Sequence, residues 1–147
     1  MKRIKTAIIG SGFMGGTHLE ALQRIGGVEV VMIASDDAKS GKSLTDKFSV
    51  QEFSTDWKKA IANSDVDVIH NCTPNHLHFE INKAAVINNK NIISEKPLTV
   101  NSKQSAELLQ LLKKHNVVNA INFNYRFYPI IQHAKSMVDQ REVGDIY

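Results

Sequence analysis

The chain has 147 residues, of which 42% are hydrophobic and 22% are charged, and its net charge is +3. A chain of this length and composition forms one globular domain that buries about two thirds of the surface exposed on unfolding, which excludes a mainly disordered protein. The single cysteine excludes an internal disulfide, and the lack of long apolar runs disfavours membrane insertion or secretion. A cytoplasmic protein is therefore expected. The basic residues are scattered along the chain, which disfavours nucleic acid as a partner.

Short runs rich in Ile and Val alternate along the chain with longer runs of helical periodicity. This alternation is typical of a parallel sheet whose strands are joined by crossover helices. In the first half it predicts strands over 3–10, 28–34 and 50–54 and helices over 14–26 and 38–48. The run over 28–34 is apolar almost throughout, which indicates a strand covered on both faces, whereas 50–54 is expected near an edge.

The second half repeats the pattern. It predicts strands over 66–72, 91–95 and 117–123 and helices over 76–89, 102–115 and 129–140. Asn101 and Gln104 have the spacing of a capping box, and Leu108, Leu109, Leu111 and Leu112 form the apolar face of the next helix. We therefore predict a doubly wound α/β domain over 1–147, with a mostly parallel sheet of about six strands and helices on both faces.

The last four residues, 144–147, resemble the start of a further strand. Natural chain ends are usually polar and frayed. We therefore expect this chain to be a fragment or a single domain of a longer protein.

A G-x-G-x-x-G motif lies between the first predicted strand and the first predicted helix. Gly10 allows a tight turn, Gly12 the approach of a pyrophosphate to backbone N–H groups, and Gly15 close packing of helix on strand. The helix N-terminus, at Phe13 and Met14, attracts phosphate. In this context the motif predicts a dinucleotide site. A glycine turn without a ligand and an S-adenosylmethionine site are the alternatives.

Acidic residues follow the second predicted strand. Asp36 lies 21 residues after Gly15, where a carboxylate accepts hydrogen bonds from a ribose and repels a 2′-phosphate, which favours NAD over NADP. If Ser35 occupies the ribose position instead, NADP is tolerated, although no arginine follows to bind its phosphate. Alternatively, Asp36 and Asp37 only shape the turn and cap the next helix.

Two further strand ends carry polar residues: Thr73, Pro74, Asn75, His76 and His78 follow the fourth strand, and Glu95, Lys96 and Pro97 follow the fifth. Carboxyl ends of parallel strands converge on one crevice, so we expect these residues to lie beside the glycine motif. His76 and His78 alone do not make a zinc site, which needs three or four ligands, and no metal is predicted. Cys72 is interpreted as a small apolar residue.

Four motifs together resemble the Gfo/Idh/MocA family of oxidoreductases. They are the glycine motif with His18 three residues beyond it, T-P-N-x-x-H, E-K-P, and the run Asn-Tyr-Arg-Phe at 124–127. The resemblance covers essentially the whole chain, and E-K-P is more specific than the glycine motif, which disfavours the S-adenosylmethionine alternative. It implies a Rossmann domain followed in the whole protein by a C-terminal α/β domain, absent from this chain, that forms the substrate pocket and often a homo-oligomer interface.

The resemblance also implies residue roles. Lys96 would assist proton transfer beside the nicotinamide, and Glu95 would bond the nicotinamide ribose. Thr73, Pro74, Asn75 and His78 would line the nicotinamide side of the cofactor, and Pro97 would follow a cis peptide bond. An ordinary surface turn is the alternative for Glu95 and Lys96. His18, on the first predicted helix, and His70, within the fourth predicted strand, are interpreted as structural. Catalytic histidines of the family usually come from the second domain.

The expected function is that of an NAD-dependent oxidoreductase, with NADP possible, acting on a hydroxyl of a sugar, polyol or inositol-like substrate. The isolated chain should bind NAD and be nearly inert, because hydride transfer needs a substrate held in near-attack geometry. The alternative is a non-catalytic nucleotide-sensing module that regulates a partner.

Overall fold

A computed structural model describes residues 3–146. It contains six strands: β1 (Ile4–Ile9), β2 (Val28–Ala34), β3 (Glu52–Ser54), β4 (Val68–Asn71), β5 (Asn91–Ser94) and β6 (Asn119–Ile121). They form one sheet in the order β3-β2-β1-β4-β5-β6, in which every neighbouring pair is parallel. The predicted doubly wound sheet is confirmed, with β3 at an edge. The order reverses between β1 and β4, where such sheets bind ligands.

The helices cover both faces of the sheet, as predicted. They are α1 (Phe13–Arg24), α2 (Ala38–Phe48), α3 (Trp57–Ala62), α4 (His78–Ile87), α5 (Ser102–Leu112) and α6 (Pro129–Asp139), with 3-10 turns at Asn75–Leu77 and Asn124–Phe127. On one face, Leu19 and Leu22 of α1 pack on Ile8 and Ile33. On the other face, α3, α4 and α5 bury a larger apolar cluster that contains Ile69.

Helix α3 is absent from the sequence-based prediction. The side chain of Asp56 caps it by accepting a hydrogen bond from the backbone N–H of Lys58. Ala60 and Ile61 are buried against the sheet. The sequence signal for this helix is therefore the capping Asp56 followed by apolar residues, over a length too short to show clear periodicity.

Helix α5 has the predicted cap but a narrower apolar face. The side chain of Asn101 accepts a hydrogen bond from the backbone N–H of Gln104 at 3.0 Å, while the Gln104 amide oxygen accepts from Val100 rather than from Asn101. Leu108 is buried, but Leu109 is 55% exposed, so the predicted apolar face is covered only in part.

The C-terminal part of the described chain packs loosely. Helix α6 contributes no buried residue and packs against the turn at Asn124–Phe127. Residues 144–146 are irregular, and Tyr147 of the predicted further strand lies outside the described residues. Within residues 3–146, none of the helices has the length and apolar character that crossing a bilayer requires.

Candidate functional site

A cavity of about 620 Å³ opens at the carboxyl ends of β1, β2 and β4, and we call it the glycine-loop cavity. Eight residues predicted to bind a cofactor line it: Gly10, Gly12, Phe13, Met14, Ser35, Asp36, Thr73 and Pro74. Gly15, Asn75, His78, Glu95 and Lys96 are not among its lining residues. The cavity therefore brings together the glycine motif and two of the three predicted strand ends.

The three glycines of the motif differ in how much space a side chain would have at each position. A Cβ atom on Gly15 would lie 2.0 Å from the carbonyl oxygen of Gly10, because α1 packs directly on the turn. Gly10 itself has φ +105°, and a Cβ there would lie 2.5 Å from the carbonyl oxygen of Cys72. A Cβ on Gly12 would meet nothing within 4 Å, so this position is open.

The N-terminus of α1 faces the cavity without a side-chain cap. Its N-cap residue is Gly12, which has no side chain that could accept from the first helical N–H groups. Phe13 is 87% exposed and Met14 is partly buried at this helix end. Uncapped N–H groups at a helix N-terminus are a favourable site for phosphate oxygens.

Three serine hydroxyl groups form a cluster on the β2 side of the cavity. Ser35, the first residue after β2, is buried, and its Oγ lies 2.7 Å from Oγ of Ser11. The Ser11 hydroxyl donates to Oγ of Ser40 at 3.0 Å. Ser11 and Ser40 were not predicted, because nothing in their sequence context distinguishes them from ordinary loop serines.

The two acidic residues after β2 have separate functions. Asp37 caps α2 by accepting hydrogen bonds from the backbone N–H groups of Lys39 and Ser40. Asp36 is exposed on the cavity wall, where its carboxylate accepts only from the N–H of Asp37 among the described contacts. The capping alternative therefore holds for Asp37, and Asp36 keeps a carboxylate at the cavity. Thr55 and Trp57, which were not predicted, also line it.

His78 joins two loops from inside the protein. It is fully buried, with Nδ1 lying 2.6 Å from the carbonyl oxygen of Pro97 and Nε2 lying 2.9 Å from that of Thr73. His78 is not among the residues that line the glycine-loop cavity, and its expected place beside the cofactor stays a prediction. Asn75 is exposed at the start of its 3-10 turn.

The E-K-P loop follows β5, beside the loop after β4. The Lys96–Pro97 peptide bond is cis, as the resemblance implied. Lys96 is exposed, and its backbone N–H donates to Oε2 of Glu95 at 3.2 Å. The loop thus presents a free lysine side chain above a buried glutamate.

Glu95 is buried, with its carboxylate bonded to protein groups. Its Oε1 accepts from Nε2 of His18 at 2.9 Å and from the amide of Asn122 at 2.6 Å. Burial alone would raise the pKa of Glu95, but the hydrogen bonds from Asn122, His18 and the backbone of Lys96 outweigh it and lower the pKa overall. The carboxylate is therefore ionised inside the protein, and the expected bond from Glu95 to the nicotinamide ribose stays a prediction.

His70 lies behind His18 in the same region. The two Nδ1 atoms are 3.0 Å apart, and the rings meet edge to face. Burial, followed by the charge on His18, lowers the pKa of His70 to about 4, so the ring is neutral near pH 7. Burial also raises the pKa of the Cys72 thiol, with a further contribution from Glu95, which agrees with its interpretation as an unreactive residue.

We expect the protein to lose stability as the pH falls from 6.5, the usual pKa of His70, to its folded value of about 4. In this range the unfolded chain binds a proton that the folded chain excludes, so lowering the pH removes up to about 3 kcal/mol of stability. Thermal unfolding between pH 7.5 and 4 measures this slope. The slope should shrink in His70→Gln and persist in His133→Gln, whose ring is exposed on α6. Equal pH dependence of stability in the two variants would contradict the assignment of this effect to His70.

Among residues 3–146, no group of three or more His, Cys, Asp or Glu side chains is arranged to hold a metal ion. The features that remain at the cavity are the open glycine turn, the uncapped helix and the carboxylate of Asp36. Together they offer hydrogen-bond donors to phosphate and an acceptor to ribose hydroxyls.

Known proteins are similar to this chain in sequence and in fold. The pattern of the Gfo/Idh/MocA family, an oxidoreductase family with an NAD-binding Rossmann fold, matches residues 4–123. The uncharacterized oxidoreductase YrbE of Bacillus subtilis (strain 168) is 31% identical over 143 residues, which are 97% of this chain and 42% of that protein. Levoglucosan dehydrogenase of Pseudarthrobacter phenanthrenivorans is 31% identical over 154 aligned residues, covering 99% of this chain and 40% of that protein.

A solved structure is similar in fold over almost the whole of this chain. Scyllo-inositol dehydrogenase from Lactobacillus casei, with bound cofactor NAD(H) and scyllo-inositol, superposes with a TM-score of 0.93 at 25% identity, covering 99% of this chain and 43% of that chain. The present chain thus spans about 40% of the length of these relatives. Because the family pattern covers most of the chain and the strand order is that of the Rossmann fold, the chain belongs to the Gfo/Idh/MocA family of oxidoreductases as its NAD-binding domain.

Proposed function

We propose that this domain binds NAD in the glycine-loop cavity. We also propose that the whole protein is an enzyme that transfers hydride between the nicotinamide and a hydroxyl group of a sugar, polyol or inositol. The observation that carries this proposal is the uncapped N-terminus of α1 beside the open Gly12, at a cavity that extends from Asp36 to Thr73. The substrate class is supported by the names of the relatives, which act on levoglucosan and scyllo-inositol.

The cavity residues suit the parts of a dinucleotide. The N–H groups of Phe13 and Met14 would donate to the pyrophosphate, and the carboxylate of Asp36 would accept from the adenosine ribose. Thr73 and Pro74 would then lie on the nicotinamide side. When bound, the nicotinamide ring supplies the hydride acceptor or donor for the reaction.

Lys96 is proposed as the residue that moves the proton. An exposed ammonium group at the strand end next to Thr73 can donate to, or after deprotonation accept from, a substrate oxygen. This domain offers one wall for a substrate, and we propose that a second domain of the whole protein supplies the other wall, which hydride transfer requires for near-attack geometry.

Isothermal titration of the 147-residue chain with NAD, and separately with NADP, tests the cofactor proposal. We expect micromolar to submillimolar NAD binding and much weaker NADP binding, because Asp36 repels a 2′-phosphate. The same titrations on the whole protein show whether a second domain is needed to complete the site. Absence of NAD binding in both forms would contradict the proposal.

Asp36→Ala is expected to weaken NAD binding by about tenfold, because one charge-assisted hydrogen bond to the ribose is lost. NADP binding should strengthen relative to NAD, since the repelling charge is gone. Asp46→Ala is a matched control, because this carboxylate is exposed on α2 outside the cavity. Unchanged selectivity in Asp36→Ala would instead place the ribose at Ser35.

A further inference from the structure

Four polar side chains from four parts of the chain meet beneath the E-K-P loop, and we call them the His–Glu cluster: His18, His70, Glu95 and Asn122. His18 comes from α1, His70 from β4, and the other two follow β5 and β6. His18 occupies the centre, with Nε2 donating to Glu95 at 2.9 Å, Nδ1 lying 3.0 Å from His70, and Nε2 lying 3.1 Å from the Asn122 amide nitrogen.

The His–Glu cluster is an interior feature and not a ligand site. His18, His70 and Glu95 are 8%, 5% and 5% exposed. Cys72 is also buried, and the charge of Glu95 contributes to the raised pKa of its thiol. Keeping an ionised carboxylate inside a protein is costly unless it is fully hydrogen-bonded. Apolar side chains at these positions would avoid the free-energy cost of burying a charge. The presence of a charged cluster here therefore suggests a functional reason.

Its location supplies that reason. Glu95 directly precedes Lys96, and the two are joined by the hydrogen bond from the Lys96 backbone N–H to Oε2 of Glu95. On the other side of Lys96, the carbonyl oxygen of Pro97 is held by His78 at 2.6 Å. The backbone that carries Lys96 is therefore anchored at both ends, by histidines from opposite faces of the sheet.

We propose that His18 is a positioning residue that, by donating to Glu95, holds the E-K-P loop in the form that presents Lys96 to the nicotinamide side of the cavity. This inference rests on the proposed function, because it assigns a purpose to the orientation of Lys96. His18 does not line the glycine-loop cavity, so its effect on cofactor affinity is separate from its effect on Lys96.

Two substitutions of His18 separate positioning from packing. His18→Leu removes both ring nitrogens but keeps an apolar side chain, whereas His18→Gln keeps an amide donor for Glu95. In the whole protein we expect His18→Leu to lower kcat by about tenfold, the effect of one charge-assisted hydrogen bond, and to change the pH profile of kcat. The Kd for NAD should stay within about twofold. His18→Gln should recover most of the kcat, and His133→Gln should have no effect.

A measurement without turnover tests the same inference. In NMR spectra of the 147-residue chain, the signals of Lys96 and of the residues beside it should shift in His18→Leu and return towards their original positions in His18→Gln. If His18→Leu does not fold, Asn122→Ala removes the other donor to the same carboxylate oxygen from a partly buried position, and it should shift the same signals.

Unchanged Lys96 signals in the folded variants would overturn the inference, as would a parallel loss of kcat and NAD affinity. A whole protein without dehydrogenase turnover would contradict the proposed function instead. In that case the response of the Lys96 signals still decides whether His18 holds the loop, so the two failures are distinguishable.

Discussion

Gly15→Ala is expected to destabilise the protein by about 3 kcal/mol and to lower its melting temperature by about 10 °C. The added methyl group would lie 2.0 Å from the carbonyl oxygen of Gly10, and both partners belong to backbone that cannot move without displacing α1 from the sheet. NAD binding should be lost as well, because the same movement displaces the helix N-terminus. Thermal unfolding and calorimetric titration measure the two effects.

Gly12→Ala is the matched control for stability. A methyl group at this position would meet nothing within 4 Å, and its φ of −70° is accessible to alanine. We expect the stability to stay within about 0.5 kcal/mol. NAD affinity should nevertheless fall by more than about tenfold, since the methyl group occupies the space of the pyrophosphate. Full NAD affinity in Gly12→Ala would show that the phosphates bind elsewhere.

The elements predicted correctly are those with strong local signals. The apolar run of β2 and the Asn101 cap of α5 are visible within a few residues of sequence, and both are found in the fold. Helix α3 has only six residues, which is less than two turns, so hydrophobic periodicity could not reveal it. Leu109 was assigned to the apolar face of α5, yet it is exposed, because sequence periodicity does not show how much of a helix face the rest of the protein covers.

The candidate site was predictable in location but not in side-chain direction. Adjacent residues at a strand end point to opposite faces of the sheet. Ser94 accordingly bonds Asn82 of α4 on one face, and Glu95 bonds His18 of α1 on the other. His18, which bonds Glu95, and Pro97, which bonds His78, are 77 and 19 residues away from their partners in sequence. The sequence therefore placed Glu95 and His78 at the crevice without showing that they turn inward.

Lys96→Met is expected to lower the turnover of the whole protein by about a thousandfold, within the usual contribution of general acid–base catalysis. Methionine has a similar length but can neither donate nor accept the proton of the substrate hydroxyl. NAD binding to the variant should be retained, because Lys96 does not line the glycine-loop cavity. Steady-state kinetics with sugar, polyol and inositol substrates, together with NAD titration, measure both quantities.

Two companion variants decide what Lys96 contributes. Lys103→Met removes another exposed ammonium group, from the first turn of α5, and should leave turnover unchanged. Lys96→Arg keeps the positive charge but cannot release a proton near neutral pH. Low activity in Lys96→Arg would indicate proton transfer, whereas high activity would indicate that the charge alone is needed. Full activity in Lys96→Met would refute both roles and return Glu95 and Lys96 to the alternative of an ordinary surface turn.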